Sequence, residues 1–205
     1  MKHILVPVAG FARSGKDTLA DAIYECLAFN EPTYSAMVVK FADELKQSLQ
    51  DNFDQLGIKV NVFTEDTEEK ARLRPLLVAY GEYCRSKNEN IWVDKVIKVI
   101  DDFIRETVDN SESTGSVILI PDMRYLNEYH RLERLAAKRG WQFVPIYIER
   151  SGNGPANNSE ALSIGRMAAE GCFAMPNSLQ LCFDEGETEA IRKWASKFTQ
   201  SMSVY

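Results

Sequence analysis

A short glycine-rich stretch near the start of the sequence has the residue types and spacing of a phosphate-binding loop. Residues 10–18 read GFARSGKDT, which fits the pattern G-x-x-x-x-G-K. Its glycines allow backbone angles that a Cβ would forbid, so that amide N–H groups can turn towards a phosphate. The lysine places a positive charge on the β- and γ-phosphates. We therefore expect a nucleotide such as ATP to bind here, through Gly10, Arg13, Ser14, Gly15, Lys16, Asp17 and Thr18.

The flanking sequence supplies the strand and the helix that such a loop requires. Residues 3–8 form an apolar run of strand length, and residues 16–29 carry apolar side chains at the spacing of one helix face. Strand, glycine-rich turn and helix is the order of the phosphate-binding motif. The start of the helix adds unpaired N–H groups and the positive end of its dipole. An ordinary Gly-Ser turn before a helix is the simpler alternative.

One residue of the loop departs from the usual motif. Asp17 stands where a Ser or Thr usually binds magnesium, and the hydroxyl follows one position later, at Thr18. The Asp17 carboxylate could help to hold hydrated Mg²⁺, or it could be a favourable anion in the first helical turn. We favour the first-turn role, because an acid that faces phosphates would repel them unless a metal intervenes.

A second pair of chemical groups follows another apolar run. Residues 117–120 read VILI, typical of a buried parallel strand, and Asp122 and Arg124 come directly after it. Ligands of doubly wound sheets bind beyond the carboxyl ends of the strands, so both side chains are expected to face Lys16. Asp122 could help to position Mg²⁺ or could activate the acceptor. Arg124 could bind a phosphate through two N–H groups. The alternative is that Asp122 only caps the helix that follows the strand.

The rest of the sequence alternates between strand-like and helix-like stretches. Short apolar runs predict further strands at 35–41, 142–148 and 179–183. Helical periodicity predicts helices at 42–53, 88–108, 126–138 and 188–202, another that begins at Thr67, and a new first turn at Pro75. Such alternation implies a parallel sheet covered on both faces. We predict an α/β protein with the three-layer α/β/α fold of P-loop NTPases and a five-stranded, mainly parallel sheet.

Composition and charge narrow the class of protein. With 205 residues, 45% of them hydrophobic, the chain can bury one substantial core. The net charge of -6 disfavours a general nucleic-acid coat protein. The 4 cysteines are widely spread, which indicates neither a zinc site nor a disulfide framework. Without a signal-like stretch or a long apolar run, the sequence predicts a cytoplasmic protein with no membrane partner.

Motifs spread over most of the chain occur in a characteristic order. They are SGKDT in the loop, LVAYG at 77–81 with IWV at 91–93, PDMR at 121–124 with Asn127 and Glu128, Ser159-Glu160, and FDEGETE at 183–189. Together they resemble the deoxynucleoside monophosphate kinases of tailed bacteriophages. Asn157 and Asn158 stand where that family often has a histidine, and this chain is shorter than several relatives.

The resemblance implies an ATP-dependent (deoxy)nucleoside monophosphate kinase, which moves the γ-phosphoryl group of ATP to a deoxynucleoside 5′-monophosphate with Mg²⁺. We expect one domain over residues 1–205, with an acceptor-binding helical insertion at about 42–108 and a mobile lid at about 150–166. In phage-infected cells the protein would act in the host cytoplasm. ATP and the monophosphate would be its partners, with no stable nucleic-acid partner.

Roles follow from the needs of phosphoryl transfer, which are alignment and charge neutralisation. The catalytic assignments are Lys16, Asp122, Arg124 and Arg150, and the magnesium assignments are Asp17 and Asp122. Arg150 opens the expected lid, although a surface charge at a strand end explains it equally well. The acceptor assignments are Arg74, Tyr80, Arg85, Trp92 and Glu128, with core packing as the alternative for Trp92.

Other functions are compatible with the same residues. One is a kinase for hydroxymethylated bases, such as 5-hydroxymethyluracil, in phage DNA, which the acidic net charge disfavours. Another is a kinase for a different phosphorylated metabolite, such as phosphomevalonate. A nucleotide-binding regulator without transfer activity is a third. The broad apolar stripe of residues 88–108 indicates core packing first and a homodimer seam second.

Overall fold

A computed structural model of the protein describes residues 2–30, 34–110, 115–156 and 158–203, so Asn157 in the expected lid lies outside it. Helices and strands alternate along these residues. In chain order the elements are β1 (Lys2–Ala9), α1 (Lys16–Asn30), β2 (Tyr34–Val38), α2 (Phe41–Gln55), α3 (Thr67–Lys87), α4 (Ile91–Asn110), β3 (Gly115–Ile120), α5 (Leu126–Arg139), β4 (Gln142–Phe143), β5 (Ile146–Arg150), α6 (Asn158–Ala169), β6 (Leu179–Phe183) and α7 (Thr188–Ser203).

The sheet is parallel and has β1 at its centre. Its strand order is β2-β3-β1-β5-β6, and β4 also pairs with β1. The register places Val6 of β1 beside Leu119 of β3. Both strands are apolar and buried along nearly their whole length, as expected for strands covered on both faces. Because β1 and β3 are adjacent and parallel, the turns that follow them begin side by side at the carboxyl edge of the sheet.

The predicted α/β class and the parallel sheet are confirmed, but the sheet has six strands rather than five. The single strand expected at 142–148 is two short strands, β4 and β5. Pro145 lies between them and has no N–H to donate to a ladder. Its carbonyl instead accepts from Leu179 N at 2.9 Å, while Val144 N donates to Leu5 O at 2.9 Å. The chain thereby moves along β1 and continues beside β6.

Helices cover both faces of the sheet. On one face, α4 and α5 bury a cluster that includes Trp92, Val96 and Ile100 of the predicted stripe. On the other face, α1 and α7 cover residues of β1 and β5. The apolar stripe of α4 therefore packs inside the chain. None of the helices in the described part of the chain is long and apolar enough to cross a membrane.

The prediction of a new helix at Pro75 is wrong, because Pro75 lies inside the continuous helix α3. The helix begins as expected at Thr67, where the side chain of Asp66 accepts from Glu69 N at 2.8 Å. A proline leaves the carbonyl four residues earlier, that of Ala71, without a helical partner. Both residues are exposed, so water can take that carbonyl and the helix continues.

Candidate active site

The loop between β1 and α1 lines a pocket of about 260 Å³ at the carboxyl edge of the sheet. The pocket is lined by all the predicted nucleotide-binding residues except Gly10, namely Arg13, Ser14, Gly15, Lys16, Asp17 and Thr18. The Ser14 hydroxyl is buried and has no hydrogen-bond partner in the described part of the chain. A buried orphan hydroxyl is costly unless a ligand pairs with it, so the loop fits a phosphate group.

Gly10 forms the base of the loop, where no side chain fits. A Cβ there would lie 2.1 Å from the carbonyl oxygen of Ile148 and 2.8 Å from Ser14 Oγ. Gly15 has a φ of 96°, which L side chains rarely adopt. Arg13 also has a positive φ, 63°, and its side chain is exposed at the pocket rim. These positions give the loop the tight curvature that a phosphate cradle requires.

The Lys16 side chain is buried against its own loop. Its ammonium donates to Gly10 O at 2.8 Å and to Phe11 O at 2.6 Å. Burial is the main cause that lowers the pKa of Lys16, and the positive charge of Arg124 lowers it further. The carboxylates of Glu160, Asp17 and Asp122 act in the opposite direction. The charges of Asp122 and Arg124, the expected neighbours of Lys16, thus both affect its pKa, in opposite directions.

Asp17 lies in the first turn of α1 and is paired with a lysine. Lys40 Nζ donates to Asp17 Oδ1 at 2.6 Å. Burial lowers the pKa of Lys40, but the hydrogen bond and the charge of Asp17 outweigh it and raise the pKa above its usual value. Sequence reasoning missed Lys40. Its position just after β2, at the carboxyl edge of the sheet, is the signal that could have revealed it.

Asp122 follows β3 and caps a helix from a different part of the chain. Its two carboxylate oxygens accept from Phe41 N at 3.0 Å and Ala42 N at 2.9 Å, the first amides of α2. Burial raises the pKa of Asp122, and these two N–H groups partly offset the rise. The alternative that Asp122 caps the helix after its own strand is corrected, because Glu128 caps α5 itself by accepting from Tyr125 N at 3.0 Å.

A second pocket of about 310 Å³ lies between α2, α3 and the turn after β3. Its charged lining is rich in cations, which are Lys46, Arg74, Arg85 and Arg124. Its acids are Glu82, Asp122 and Glu128, and its apolar wall includes Leu45, Leu77 and Val78. Three of the predicted acceptor residues, Arg74, Arg85 and Glu128, therefore line one cavity. Asp122 and Arg124, from the turn after β3, line the same cavity.

Glu128 is the buried centre of this second pocket. Its Oε2 accepts from Arg124 N at 2.8 Å and from Tyr125 N at 3.0 Å, and its Oε1 lies 3.8 Å from Arg85 Nη2. The Arg85 guanidinium also lies 4.4 Å from the centroid of the Tyr125 ring. Burial raises the pKa of Glu128 to about 7, despite the N–H donors and the charge of Arg85. These contacts hold Arg85 in one orientation at the pocket.

Two acceptor assignments, Tyr80 and Trp92, are corrected, since neither lines the second pocket. Trp92 is 1% exposed, and its indole nitrogen donates to Gly81 O at 3.4 Å. The Tyr80 ring packs on Trp92 at a centroid distance of 6.0 Å, and its hydroxyl contacts the Ser48 hydroxyl at 3.0 Å. Their polar atoms are satisfied where α2, α3 and α4 meet, so both rings serve the core.

A comparison with models of known protein families identifies the family to which the chain belongs. Residues 8–138, more than half of the chain, match the model of the phosphomevalonate kinase family. The chain belongs to this family. With its P-loop, it is a kinase-type phosphotransferase. No curated protein matches the chain significantly. The bacteriophage deoxynucleotide specificity stays a prediction.

Comparison with solved structures found matches over nearly the whole chain at low sequence identity. The APS kinase of Mycobacterium tuberculosis is 15% identical with a TM-score of 0.47, over 98% of each chain. The same enzyme in complex with AMPPNP and APS is 14% identical with a TM-score of 0.47, again over 98% of each chain. A putative kinase from Chloroflexus aurantiacus is 16% identical with a TM-score of 0.42, over 98% of this chain and 97% of the other.

In this phosphomevalonate kinase family member, the nucleotide pocket has a second wall, formed by the FDEGETE motif, to which the sequence analysis gave no site role. The turn after β6 and the start of α7 contribute Asp184, Gly186, Glu187 and Thr188. Arg150, at the end of β5, lines the same pocket, and its Nη2 donates to Glu185 Oε1 at 2.8 Å. The signal for this wall is again position, because both turns follow strands at the carboxyl edge of the sheet.

Two carboxylates of this family member could hold magnesium. In kinase sites Mg²⁺ is usually bound by one or two carboxylates together with the substrate phosphates and water. Asp17 and Asp122 both act on the charge of Lys16 at the phosphate loop, so oxygen donors of the required type are present. Asp17 is already paired with Lys40, and Asp122 with the amides of α2. The described residues contain no group of three or more acidic, His or Cys side chains that could hold the ion by themselves. Most ligands would therefore come from the nucleotide phosphates and water, with Asp122 as the candidate carboxylate neighbour.

Proposed function

We propose that the protein transfers the γ-phosphoryl group of ATP to the phosphate of a deoxynucleoside 5′-monophosphate, giving the diphosphate. One observation carries the proposal, which is that Arg124 links the second pocket electrostatically to the phosphate loop. It lines the cation-rich second pocket, and its charge acts on Lys16 in the phosphate loop. A phosphate bound in either pocket would therefore feel the charge of Arg124.

The second pocket favours an acceptor that already carries a phosphate. Its four cations face three acids, but the carboxylates of Asp122 and Glu128 are occupied by backbone N–H groups. Arg85 is held by Glu128 and Tyr125, so little side-chain entropy is lost when it binds an anion. An Arg that is ordered before binding is well suited to grip a phosphate monoester through two N–H groups.

The apolar wall of the same pocket favours an acceptor with an extended apolar body. Leu45, Leu77 and Val78 line the pocket together with the charged side chains. Small-molecule sites typically combine such walls with a few polar groups that fix orientation. A nucleobase on this wall and a 5′-phosphate at Arg85 and Arg124 would use both parts of the pocket. The motifs shared with the phage kinases support the same choice.

Transfer between two phosphates requires little covalent help from the protein. An acceptor phosphate is already anionic at neutral pH, so Asp122 need not remove a proton from it. In the proposed reaction Lys16 and the loop amides hold the donor, and Arg124 and Arg150 neutralise charge on the moving phosphoryl group. Bound Mg²⁺ would supply further charge neutralisation, with Asp122 as its carboxylate neighbour and Asp17 as a first-turn anion paired with Lys40.

A second candidate acceptor is phosphomevalonate, which the family match favours. Phosphomevalonate carries a carboxylate as well as a phosphate, and the pocket cations Lys46 and Arg74 offer charge for it. Its body is flexible and aliphatic, so it would use the apolar wall less than a flat base does. Binding of phosphomevalonate would thus depend mainly on the cations of the second pocket, whereas binding of a nucleotide would also depend on its apolar wall.

The deciding experiment is a coupled assay of ADP release over a panel of acceptors. The panel contains dAMP, dGMP, dCMP, dTMP and 5-hydroxymethyl-dUMP, their ribose counterparts, phosphomevalonate, and duplex DNA with 5-hydroxymethyluracil. We expect turnover with at least one deoxynucleoside monophosphate and its loss, by about 100-fold or more, in Lys16→Met. Lys197→Met, which removes an exposed lysine of α7, is the matched control and should keep wild-type turnover.

Any other result of the acceptor panel would indicate a different function. Turnover with phosphomevalonate alone would replace the nucleotide assignment, and turnover with the DNA alone would assign a base kinase. Nucleotide binding without product across the whole panel would indicate a regulator.

A further inference from the structure

The loop before α6 and the first turn of that helix hold one residue of the phosphate loop from two sides. Glu160 Oε1 accepts from Ala12 N at 2.8 Å, and Asn153 Nδ2 donates to Ala12 O at 2.8 Å. The second oxygen of Glu160 accepts from Ala156 N at 2.7 Å, which ties the carboxylate to its own loop. The N–H and the C=O of Ala12 are thus both committed to this part of the chain.

The next turn of α6 contacts the other site. Ser163 Oγ donates to the carbonyl of Arg124, in the turn that follows β3. The N–H of Arg124 is bound in turn by Glu128, which also contacts Arg85. Within three residues, α6 therefore reaches the donor loop through Glu160 and the acceptor turn through Ser163.

We propose that α6 is a bridge between the two pockets, and that Glu160 and Ser163 are positioning residues that make the binding of nucleotide and acceptor cooperative. This inference rests on the proposed transfer between the two pockets. Neither side chain takes part in bond making. Glu160 fixes Ala12 and so the curvature of the donor loop, whereas Ser163 fixes the carbonyl next to the Arg124 side chain.

The physical basis is that one helix contacts the segments that form both pockets. When a nucleotide orders the loop, the Glu160 contact restrains α6, and Ser163 then restrains the Arg124 turn before an acceptor arrives. The acceptor consequently has less ordering to complete, which appears as positive coupling. By linkage, the acceptor must tighten nucleotide binding by the same factor.

The test measures that coupling factor in variants that leave both pockets in place. The probes are Mg²⁺ with AMPPNP, a non-hydrolysable ATP analogue, and dTMP or whichever monophosphate the panel selects. In wild type we expect AMPPNP to tighten monophosphate binding by about fivefold or more. In Ser163→Ala the factor should fall towards one, while the Kd of each ligand alone stays near wild type. In Glu160→Gln the factor should also fall towards one, and AMPPNP alone should bind more weakly because the donor loop loses part of its support, while the Kd of the monophosphate alone stays near wild type. Glu160→Gln is informative because the amide can accept from only one of the two N–H groups.

Ser159→Ala is the matched control, since it removes an exposed hydroxyl from the same helix. It should keep the full coupling factor. Wild-type coupling in both Ser163→Ala and Glu160→Gln would overturn the bridge. So would a loss of coupling that comes only with a loss of affinity for each single ligand, because that pattern indicates general structural damage. If Glu160→Gln fails to fold, Ser163→Ala alone decides.

Hydrogen exchange separates failure of the bridge from failure of the proposed function. If no nucleoside monophosphate binds, the acceptor assignment is wrong, but the bridge can still be tested with AMPPNP alone. Mg²⁺ and AMPPNP should slow exchange in a peptide covering 121–128 in wild type and not in Ser163→Ala. A peptide covering 10–18 should be slowed in both. Equal slowing of 121–128 in both proteins, or none in wild type, would reject the bridge.

Discussion

Lys40 Nζ lies 2.6 Å from Asp17 Oδ1, so the acid at the unusual position of the phosphate loop is neutralised by a residue from the end of β2. The Asp17 side chain is 66% exposed and that of Lys40 is 31% exposed, which limits the energy of the pair. The contact nevertheless places a compensating charge beside the phosphate site. It also explains how an acid can stand next to Lys16 without opposing an incoming triphosphate.

We therefore expect Asp17→Asn to have a small effect on stability and little effect on the Mg²⁺ concentration that turnover requires. Loss of the ion pair and of a first-turn anion should lower the free energy of unfolding by about 0.3–1 kcal/mol in urea titrations. The Mg²⁺ concentration for half-maximal turnover should change by less than about twofold, since the phosphates supply most Mg²⁺ ligands. Asp21→Asn, on the same helix, is the control for charge alone. A tenfold rise in the Mg²⁺ requirement would instead assign Asp17 to the metal.

A second expectation concerns Arg85, which Glu128 and Tyr125 hold at the second pocket. Arg85→Gln should raise the acceptor KM by about 10- to 100-fold, the effect of losing a charge-assisted contact to phosphate. The affinity for AMPPNP should stay near wild type, because Arg85 does not line the nucleotide pocket. Initial-rate kinetics and nucleotide titration measure the two effects. Arg72→Gln, an exposed change on the same helix, should alter neither, and an unchanged acceptor KM in Arg85→Gln would remove Arg85 from the site.

The third expectation is that Gly10→Ala disrupts the phosphate loop. The new Cβ would lie only 2.1 Å from the backbone oxygen of Ile148. Gly10 follows β1 and Ile148 lies in β5, and neither of these packed strands can move freely to relieve the overlap. The free energy of unfolding should fall by at least about 2 kcal/mol, and AMPPNP binding should be lost. Gly165→Ala is the control, because a Cβ there meets nothing within 4 Å in helix α6. It should raise stability slightly, and a Gly10→Ala protein that binds nucleotide normally would contradict the geometry.

Local sequence patterns predicted much of the donor site. They did not predict contacts between segments that are far apart in the sequence. The glycine loop, β1 and α1 depend on neighbours in sequence, and they form at the expected positions. The pairing of Asp17 with Lys40 and the capping of α2 by Asp122 depend on strand order, which a periodic pattern does not reveal. Nor does residue spacing predict that Glu160 reaches Ala12, 148 residues away.

Two errors had signals in the sequence. Pro145 interrupts the run at 142–148, and a proline within a run is reason to divide or demote a strand. Trp92 belongs to the apolar stripe of α4, and that periodicity already predicted burial more strongly than stacking on a base.

The final expectation concerns the pH dependence of stability, which Glu128 should affect. Burial raises the pKa of Glu128 from 4.5 to about 7, so between these values the folded state binds more protons than the unfolded state. Stability therefore falls as pH rises through this window, by about 3 kcal/mol at most from this group, and the contribution is fully present only below about pH 4.5. Glu128→Gln cannot ionise, so urea titrations from pH 4 to 8 should show a flatter profile than wild type. Glu133→Gln, a change of the same type on the same helix, should keep the wild-type slope. A wild-type profile that runs parallel to that of Glu128→Gln across this window would mean that the carboxyl is ionised in the folded protein, with the charge of Arg85 and the N–H donors outweighing burial.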